Sequence, residues 1–297
     1  MMLSPLTPDH ISLDNISRFF NNGIEVHVLR LDKLHPVISG NKWFKLRYYL
    51  EEARSQHKTG IITFGGAWSN HILATAAACQ LNGLRSIGII RGEEPASLSY
   101  TLKQATEMGM QLVFISREAY RNKQLPADLI TKDDYLVNEG GYGEPGARGA
   151  ATILDQYKDH FTHYCCACGT GTMMAGLINA VNGQPVTGIS VMKNNRQLEE
   201  LVLTLVVKEK QQPRAWQLLH DYHFGGYAKY EPPLLQFMNE FYGQTGIPSD
   251  FVYTGKLFFA INDLFQKDYF PAGSKILLIH SGGLQGNASL HKGTLMF

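Results

Sequence analysis

The chain has 297 residues, 44% hydrophobic and 18% charged, with a formal net charge of +1. That balance suits a globular protein of one large domain or two, and it holds no basic run of the kind that binds nucleic acid or an acidic membrane surface. No apolar run reaches the length of a membrane span, and Met1–His10 lacks the basic start and long apolar core of a signal peptide, so the expected location is cytoplasmic.

Short β-rich runs alternate with helix-length segments along the chain. Strands are expected at Ile24–Leu31, Gly60–Phe64, Ser86–Arg91, Met110–Ile115 and Tyr135–Asn138, then at Thr162–Cys168, Val186–Val191, Trp216–His220 and Lys275–His280. Helices are expected at Trp43–Gln56, His71–Leu81, Leu98–Met108, Ala147–Tyr157, Met173–Val181, Gln197–Lys208, Pro233–Tyr242 and Leu257–Gln266. This alternation predicts an α/β fold with parallel sheets and right-handed crossovers. No repeat or low-complexity linker divides the chain, so two domains would be closely joined. The turn-rich run Glu139-Gly140-Gly141-Tyr142-Gly143-Glu144-Pro145-Gly146 is the best crossing point between them.

The first candidate for chemistry is Ser39-Gly40-Asn41-Lys42-Trp43-Phe44-Lys45-Leu46. A small, flexible turn opens a helix on a lysine, with a second lysine one turn later. Burying an ammonium is costly, and one reason to do so is a Schiff base, as pyridoxal phosphate (PLP) enzymes require. The bland alternative is a surface lysine after a helix-opening turn.

Three glycine-rich strand-to-helix junctions follow, at strand ends where open α/β folds bind ligands. In Phe64-Gly65-Gly66-Ala67-Trp68-Ser69-Asn70-His71, Ser69 and Asn70 either cap a helix or help its free N–H groups hold a carboxylate. His71 is a stacking or proton-shuttling group, or simply a helix residue. In Cys168-Gly169-Thr170-Gly171-Thr172-Met173, glycines and hydroxyls form a cup for one phosphate, without the lysine ending of a P-loop. His280-Ser281-Gly282-Gly283 and Tyr253-Thr254-Gly255-Lys256 add hydroxyls at two more strand ends. For Tyr253 and Tyr227, core packing is the competing role. Of the four cysteines, Cys165, Cys166 and Cys168 crowd together after Cys79, but their spacing fits a buried strand better than a metal or redox site.

Together these motifs resemble the PLP-dependent family of D-cysteine desulfhydrase and 1-aminocyclopropane-1-carboxylate (ACC) deaminase, in the tryptophan synthase β-like, fold-type II group. The likeness rests on Ser39-Gly40-Asn41-Lys42 with Lys45-Leu46, Ser69-Asn70-His71, Gly169-Thr170-Gly171-Thr172 with Ala175-Gly176, Val252-Tyr253-Thr254-Gly255-Lys256 and His280-Ser281-Gly282-Gly283. The five motifs occur in the family's order and at its spacing, and the resemblance covers most of the chain, from about Ile24 to Gly283.

The resemblance implies two open, twisted, mostly parallel α/β domains with PLP in the cleft between them. A large domain would comprise residues 1–46 and 147–297, with a smaller one, 47–146, inserted in it. Lys42 would bind PLP covalently and shuttle the Cα proton. Lys45 and Gly169, Thr170, Gly171 and Thr172 would hold the phosphate, and Asn70 the ring hydroxyl. Ser69, Asn70 and His71 would hold the substrate carboxylate. Tyr253 and Tyr227 would line the substrate side, with Ser69 beside them in catalysis, and Thr254 and Ser281 would contact the cofactor. The expected partners are a small amino acid and a second copy of the chain, with no metal, nucleic acid or membrane.

The pattern departs from the family in places. Phe44 stands where arginine is common, Met173-Met174 follows the phosphate loop where a hydroxyl is frequent, the chain is shorter than many members, and Asn194–His220 matches no motif. ACC deaminases typically carry glutamate at the position of Thr254 and leucine at that of Ser281, so both residues resemble the desulfhydrase pattern. The expected reaction is therefore β-elimination of D-cysteine to pyruvate, ammonia and hydrogen sulfide. ACC deamination to 2-oxobutanoate and ammonia, and PLP binding without turnover, are the alternatives.

Overall fold

Strands buried on both faces read as unbroken apolar runs, and this chain holds several. The computed structural model, which describes residues 11–20, 23–126, 129–211 and 216–297, gathers them into two sheets. Met1–His10, read above for targeting signals, lies outside the described residues. In chain order the strands are β1 (Ser12–Asn15), β2 (Glu25–Arg30), β3 (Gly60–Gly65), β4 (Arg85–Arg91), β5 (Met110–Ile115), β6 (Asp134–Val137), β7 (His163–Cys168), β8 (Val186–Ser190), β9 (Trp216–Leu219) and β10 (Lys275–His280). The α-helices are α1 (Ser17–Phe20), α2 (Asn41–Ser55), α3 (Asn70–Leu81), α4 (Tyr100–Glu107), α5 (Arg117–Arg121), α6 (Glu144–Ala151), α7 (Thr172–Ala180), α8 (Leu198–Leu205), α9 (Pro232–Thr245) and α10 (Thr254–Gln266).

One sheet runs β1-β2-β10-β7-β8-β9 and the other β5-β4-β3-β6. All pairings are parallel except β1 with β2. The last strand inserts beside the second, with Ile279 opposite Leu29, so the chain's end closes the sheet its beginning opened. Cys165, Cys166 and Cys168 lie in β7 as small buried apolar residues. Separate apolar clusters cover the faces of the six-stranded sheet. A third joins α2 and α3 to the four-stranded sheet.

The expected domain limits after residues 46 and 146 fall inside α2 and α6. The helix expected over Ala147–Tyr157 instead starts at Glu144, with Pro145 in its first turn, and tightens into a 3-10 turn over Thr152–Leu154. Thr152 Oγ1 donates back to the Gly149 carbonyl at 2.7 Å there, a local bond that competes with continued α-helix. Among the described residues no helix is long and apolar enough to cross a membrane.

Candidate active site

Residues at or just past the carboxyl ends of β3, β4, β6, β7 and β10 line one cavity of about 240 Å³. Both sheets contribute to it, as the strand-end rule anticipates. Lys42, Lys45, Ser69, Asn70, His71, Gly169, Thr170, Gly171, Tyr227, Tyr253 and Ser281 all face this space.

Lys42 enters the cavity because two turns interlock. Gly40 has φ +66°, a left-handed conformation that glycine adopts without strain, and a Cβ there would collide with the Ser281 carbonyl. The same carbonyl accepts the Asn41 N–H at 3.2 Å. The Ser39-Gly40-Asn41 turn is thereby fixed to the Ser281-Gly282 turn, and α2 starts with its lysine inward. Lys42 Nζ donates to Asn41 Oδ1 at 2.8 Å, and Asn41 Nδ2 contacts Met173 Sδ at 3.3 Å. The Met173 departure thus braces the residue that orients the lysine. Phe44 packs against the core and does not line the cavity. Burial lowers the Lys42 amine to about 8, with Asp250 opposing the fall.

Lys45 lies one turn further along α2, buried, with Nζ 3.3 Å from the Gly140 carbonyl. Burial, then the nearby Lys42 charge, pushes it well below the usual lysine range. Neither lysine has an ion-pair partner among the described residues. Two amines buried in one cavity hold their charges only with an anion beside them. At the same place Gly171 caps α7 in the left-handed region, φ +79°, with no side-chain cap for the helix's first N–H groups. A Cβ on Gly171 would sit 2.6 Å from Val202 Cγ2. Uncapped N–H groups beside two lysines form an anion cup. Thr172 contributes backbone only, because its side chain is buried outside the cavity lining and its Oγ1 pairs with Thr170 Oγ1 at 2.9 Å.

Ser69 is the N-cap of α3, and its Oγ accepts the Ile72 N–H at a long 3.4 Å. Its hydroxyl proton remains for a ligand. Asn70 Oδ1 and His71 Nδ1 are buried without partners. The tautomer of His71 follows from its neighbours. Thr63 Oγ1 spends its one proton on the Val137 carbonyl at 2.8 Å, so His71 Nε2 must donate to that hydroxyl, also at 2.8 Å. Burial, with the two lysine charges next, holds His71 neutral, which leaves Nδ1 a bare acceptor. This narrows the expected part of His71 in holding a carboxylate to its backbone N–H, since the ring has no proton to donate there.

Thr254 also requires correction. It is buried, does not line the cavity, and its Oγ1 donates to Asp250 Oδ1 at 2.7 Å while accepting the Asp250 N–H at 2.8 Å. Its hydroxyl is committed to Asp250. That carboxylate also accepts the N–H groups of Val252, Tyr253 and Thr254 at 3.0, 2.8 and 2.9 Å. The box fixes the start of α10 and so aims Tyr253. Burial raises the Tyr253 phenol well above its ordinary range, so it keeps its proton. Tyr227 meets it edge-on, ring centroids 6.1 Å apart. Buried Lys256 donates to the carbonyls of His223 and Gly226 at 2.8 Å each, tethering the loop that carries Tyr227.

Asn41, Asp250 and Arg91 were not singled out by the motifs. Only Asn41 carried a signal, as the residue between the motif's glycine and lysine. Among the described residues, no group of three or more His, Cys, Asp or Glu is placed to hold a metal.

The site fits a phosphorylated, ring-sized aldehyde on its own chemistry. It offers an amine held near neutrality, unneutralised positive charge beside uncapped N–H groups, and two buried acceptors with nothing to accept. The sequence profile described as pyridoxal-phosphate dependent enzyme matches residues 10–282.

The chain belongs to the pyridoxal-phosphate-dependent enzyme family.

It is 31% identical to a Pyrococcus horikoshii protein provisionally named 1-aminocyclopropane-1-carboxylate deaminase, over 92% of this chain and 88% of that one. It is 29% identical to an Arabidopsis thaliana protein named bifunctional D-cysteine desulfhydrase/1-aminocyclopropane-1-carboxylate deaminase, mitochondrial, over 89% of this chain and 74% of that one. A crystal structure titled as an ACC deaminase homologue superposes with a TM-score of 0.79 at 26% identity, covering 94% and 90% of the two chains. The protein is therefore a fold-type II enzyme of the ACC deaminase and D-cysteine desulfhydrase group, a PLP-dependent lyase or deaminase.

Proposed function

We propose that the enzyme removes the β-substituent of a small amino acid, with D-cysteine the favoured substrate and pyruvate, ammonia and hydrogen sulfide the products. One observation carries the choice. The sole carboxylate lining the cavity among the described residues is Glu139, on the rim, and the position where ACC deaminases carry glutamate holds Thr254, bonded to Asp250. PLP, when bound, withdraws electrons from the substrate's Cα, and a carboxylate at its ring nitrogen strengthens that pull. Without one, expulsion of a good leaving group such as a thiolate is favoured over opening a cyclopropane.

Lys42 is the residue we assign to cofactor attachment and to the Cα proton, since an amine near 8 is a competent base at neutral pH. Lys45 and the first N–H groups of α7 hold the phosphate, with Gly169, Thr170 and Thr172 shaping the loop. Asn70 and Ser281 meet the ring's polar edge. The Ser69 hydroxyl and the α3 N-terminus, including the His71 N–H, receive the substrate carboxylate. Tyr253, still protonated, donates a hydrogen bond to the departing sulfur, and Tyr227 packs against it. Overall, cysteine and one water give pyruvate, ammonia and hydrogen sulfide.

ACC deamination is the second reading, favoured by the names of the Pyrococcus relative and the superposed structure. The test is side-by-side assay of pyruvate from D- and L-cysteine and β-chloroalanine, and of 2-oxobutanoate from ACC. Faster turnover of ACC than of D-cysteine overturns the proposal.

A further inference from the structure

The cavity carries one cation that neither cofactor attachment nor phosphate binding uses. Arg91 is the last residue of β4, exposed, and lines the same space as Lys42 and Ser69. Register places Gly65 of β3 beside Ile90 of β4, so Arg91 stands next to Gly66, at the mouth of the carboxylate corner. Its guanidinium reaches over that loop: a Cβ on Gly66 would lie 3.5 Å from Arg91 Nη2. It leans on the Tyr120 ring at 5.7 Å but has no hydrogen-bond or ion-pair partner among the described residues. Glu139, the rim's opposite charge, follows β6, on the far side of β3 in the order β5-β4-β3-β6, and no ion pair joins it to Arg91. Both charges act on Tyr120 and on Tyr227, so the mouth of this corner carries one charge of each sign, unpaired with one another.

We infer that Arg91 is a specificity residue for an anionic group at the far end of the substrate's β-substituent. This rests on the β-elimination reading. The α-carboxylate has its own donors in Ser69 and the α3 N-terminus, deeper in the cavity, so Arg91 is left for charge further out. A planar guanidinium meets a carboxylate with two parallel, charge-assisted hydrogen bonds. The substrate class is acidic β-substituted alanines, including thioethers that end in a carboxylate. For S-carboxymethyl-cysteine the balance is substrate plus water giving pyruvate, ammonia and mercaptoacetate: the Cα–H and Cβ–S bonds break, and the sulfur leaves with the bonding pair and gains a proton.

The experiment compares the D-enantiomers of S-carboxymethyl-cysteine and S-carbamoylmethyl-cysteine, equal in shape and different in charge. Pyruvate release gives kcat/KM with the holoenzyme, and calorimetry gives Kd with the cofactor-free protein. The expected result is a preference of about tenfold for the carboxylate in both measurements, the size one charge-assisted bond supports. Arg91→Gln brings both ratios close to one, and Arg91→Lys restores part of the preference. A ratio near one in the wild type overturns the inference. So does an equal loss for both compounds in Arg91→Gln, which would assign the guanidinium to the α-carboxylate. If D-cysteine yields no pyruvate while the calorimetric preference persists, the elimination reading fails and the anion site stands. Turnover of D-cysteine without the preference fails the inference alone.

Discussion

Replacing Lys42 by methionine should make the cofactor-free protein more stable while abolishing turnover. The amine falls from its ordinary 10.5 to about 8 in the folded protein. At 1.36 kcal/mol per pH unit that is a penalty of up to about 3 kcal/mol for folding with Lys42 charged. Below pH 8 both states are protonated and the penalty is complete. Between 8 and 10.5 the unfolded chain binds more protons than the folded one, so stability rises with pH. The advantage of Lys42→Met should therefore be largest at pH 7 and fall below about 1 kcal/mol at pH 10. Lys45 and Lys256 titrate in both proteins and largely cancel in the difference. Removing Lys42 also relieves the charge pressing on Lys45, which adds to the gain at pH 7. Urea unfolding of both proteins, stripped of cofactor, at the two pH values gives the difference directly. An identical difference at pH 7 and pH 10 would show that Lys42 is not desolvated and refute the reasoning. Borohydride reduction of the wild-type holoenzyme with peptide mapping should label Lys42. A label on Lys45 or Lys256, with Lys42 untouched, would move the attachment site.

Gly171→Asp should weaken PLP binding more than it weakens substrate binding, measured by titrating the cofactor-free protein. The position needs φ +79°, any Cβ presses on Val202, and a carboxylate there repels phosphate from the α7 N–H groups; unchanged affinity in a folded variant would place the phosphate elsewhere. Thr254→Val should cost about 2–3 kcal/mol in urea unfolding, because it keeps the shape but leaves the buried Asp250 N–H unpaired and removes one donor to Asp250 Oδ1. Thr254→Ser should retain most of that stability, and a larger loss in Thr254→Ser than in Thr254→Val would mean that the methyl group matters rather than the hydroxyl.

Strands that are buried on both sides were legible because burial forces continuous apolar runs. β3, β4, β7 and β10 begin and end within about a residue of expectation. What escaped is set by long-range pairing. β1 is Ser-Leu-Asp-Asn, a polar run that becomes a strand by pairing antiparallel with β2, aided by the Arg30–Asp14 ion pair at 2.9 Å. The four-residue α1 and five-residue α5 are too short to show a period.

In the site, the motifs gave residue types but not directions. Thr254 lies in a motif matching the family, yet its side chain turns to Asp250, four residues earlier. Asp250 looks like an ordinary acid in a loop until the three N–H groups it accepts are seen. Arg91 reads as a solvated strand end, and only the pairing of β4 with β3 brings it to Gly66.

The two sheets divide the labour of this cavity. The six-stranded sheet supplies the turn after β7, the start of α7 and the Ser281 loop, the parts we assign to the cofactor. The four-stranded sheet supplies Ser69, His71 and Arg91, the parts we assign to the substrate, together with Asn70, which we assign to the cofactor's ring, and the rim carboxylate Glu139. Lys42 belongs to neither sheet. It sits at the start of α2, whose first turn is locked to the Ser281 loop while its apolar face packs with α3 and the smaller sheet. The lysine is thus fixed relative to the cofactor side and packed relative to the substrate side. Changes along the rims of β4 and β6 can therefore alter which amino acid enters without disturbing the interlocked turns that hold the amine. A substitution at Gly40 does the reverse: it separates the amine from the cofactor loop and leaves the substrate corner intact.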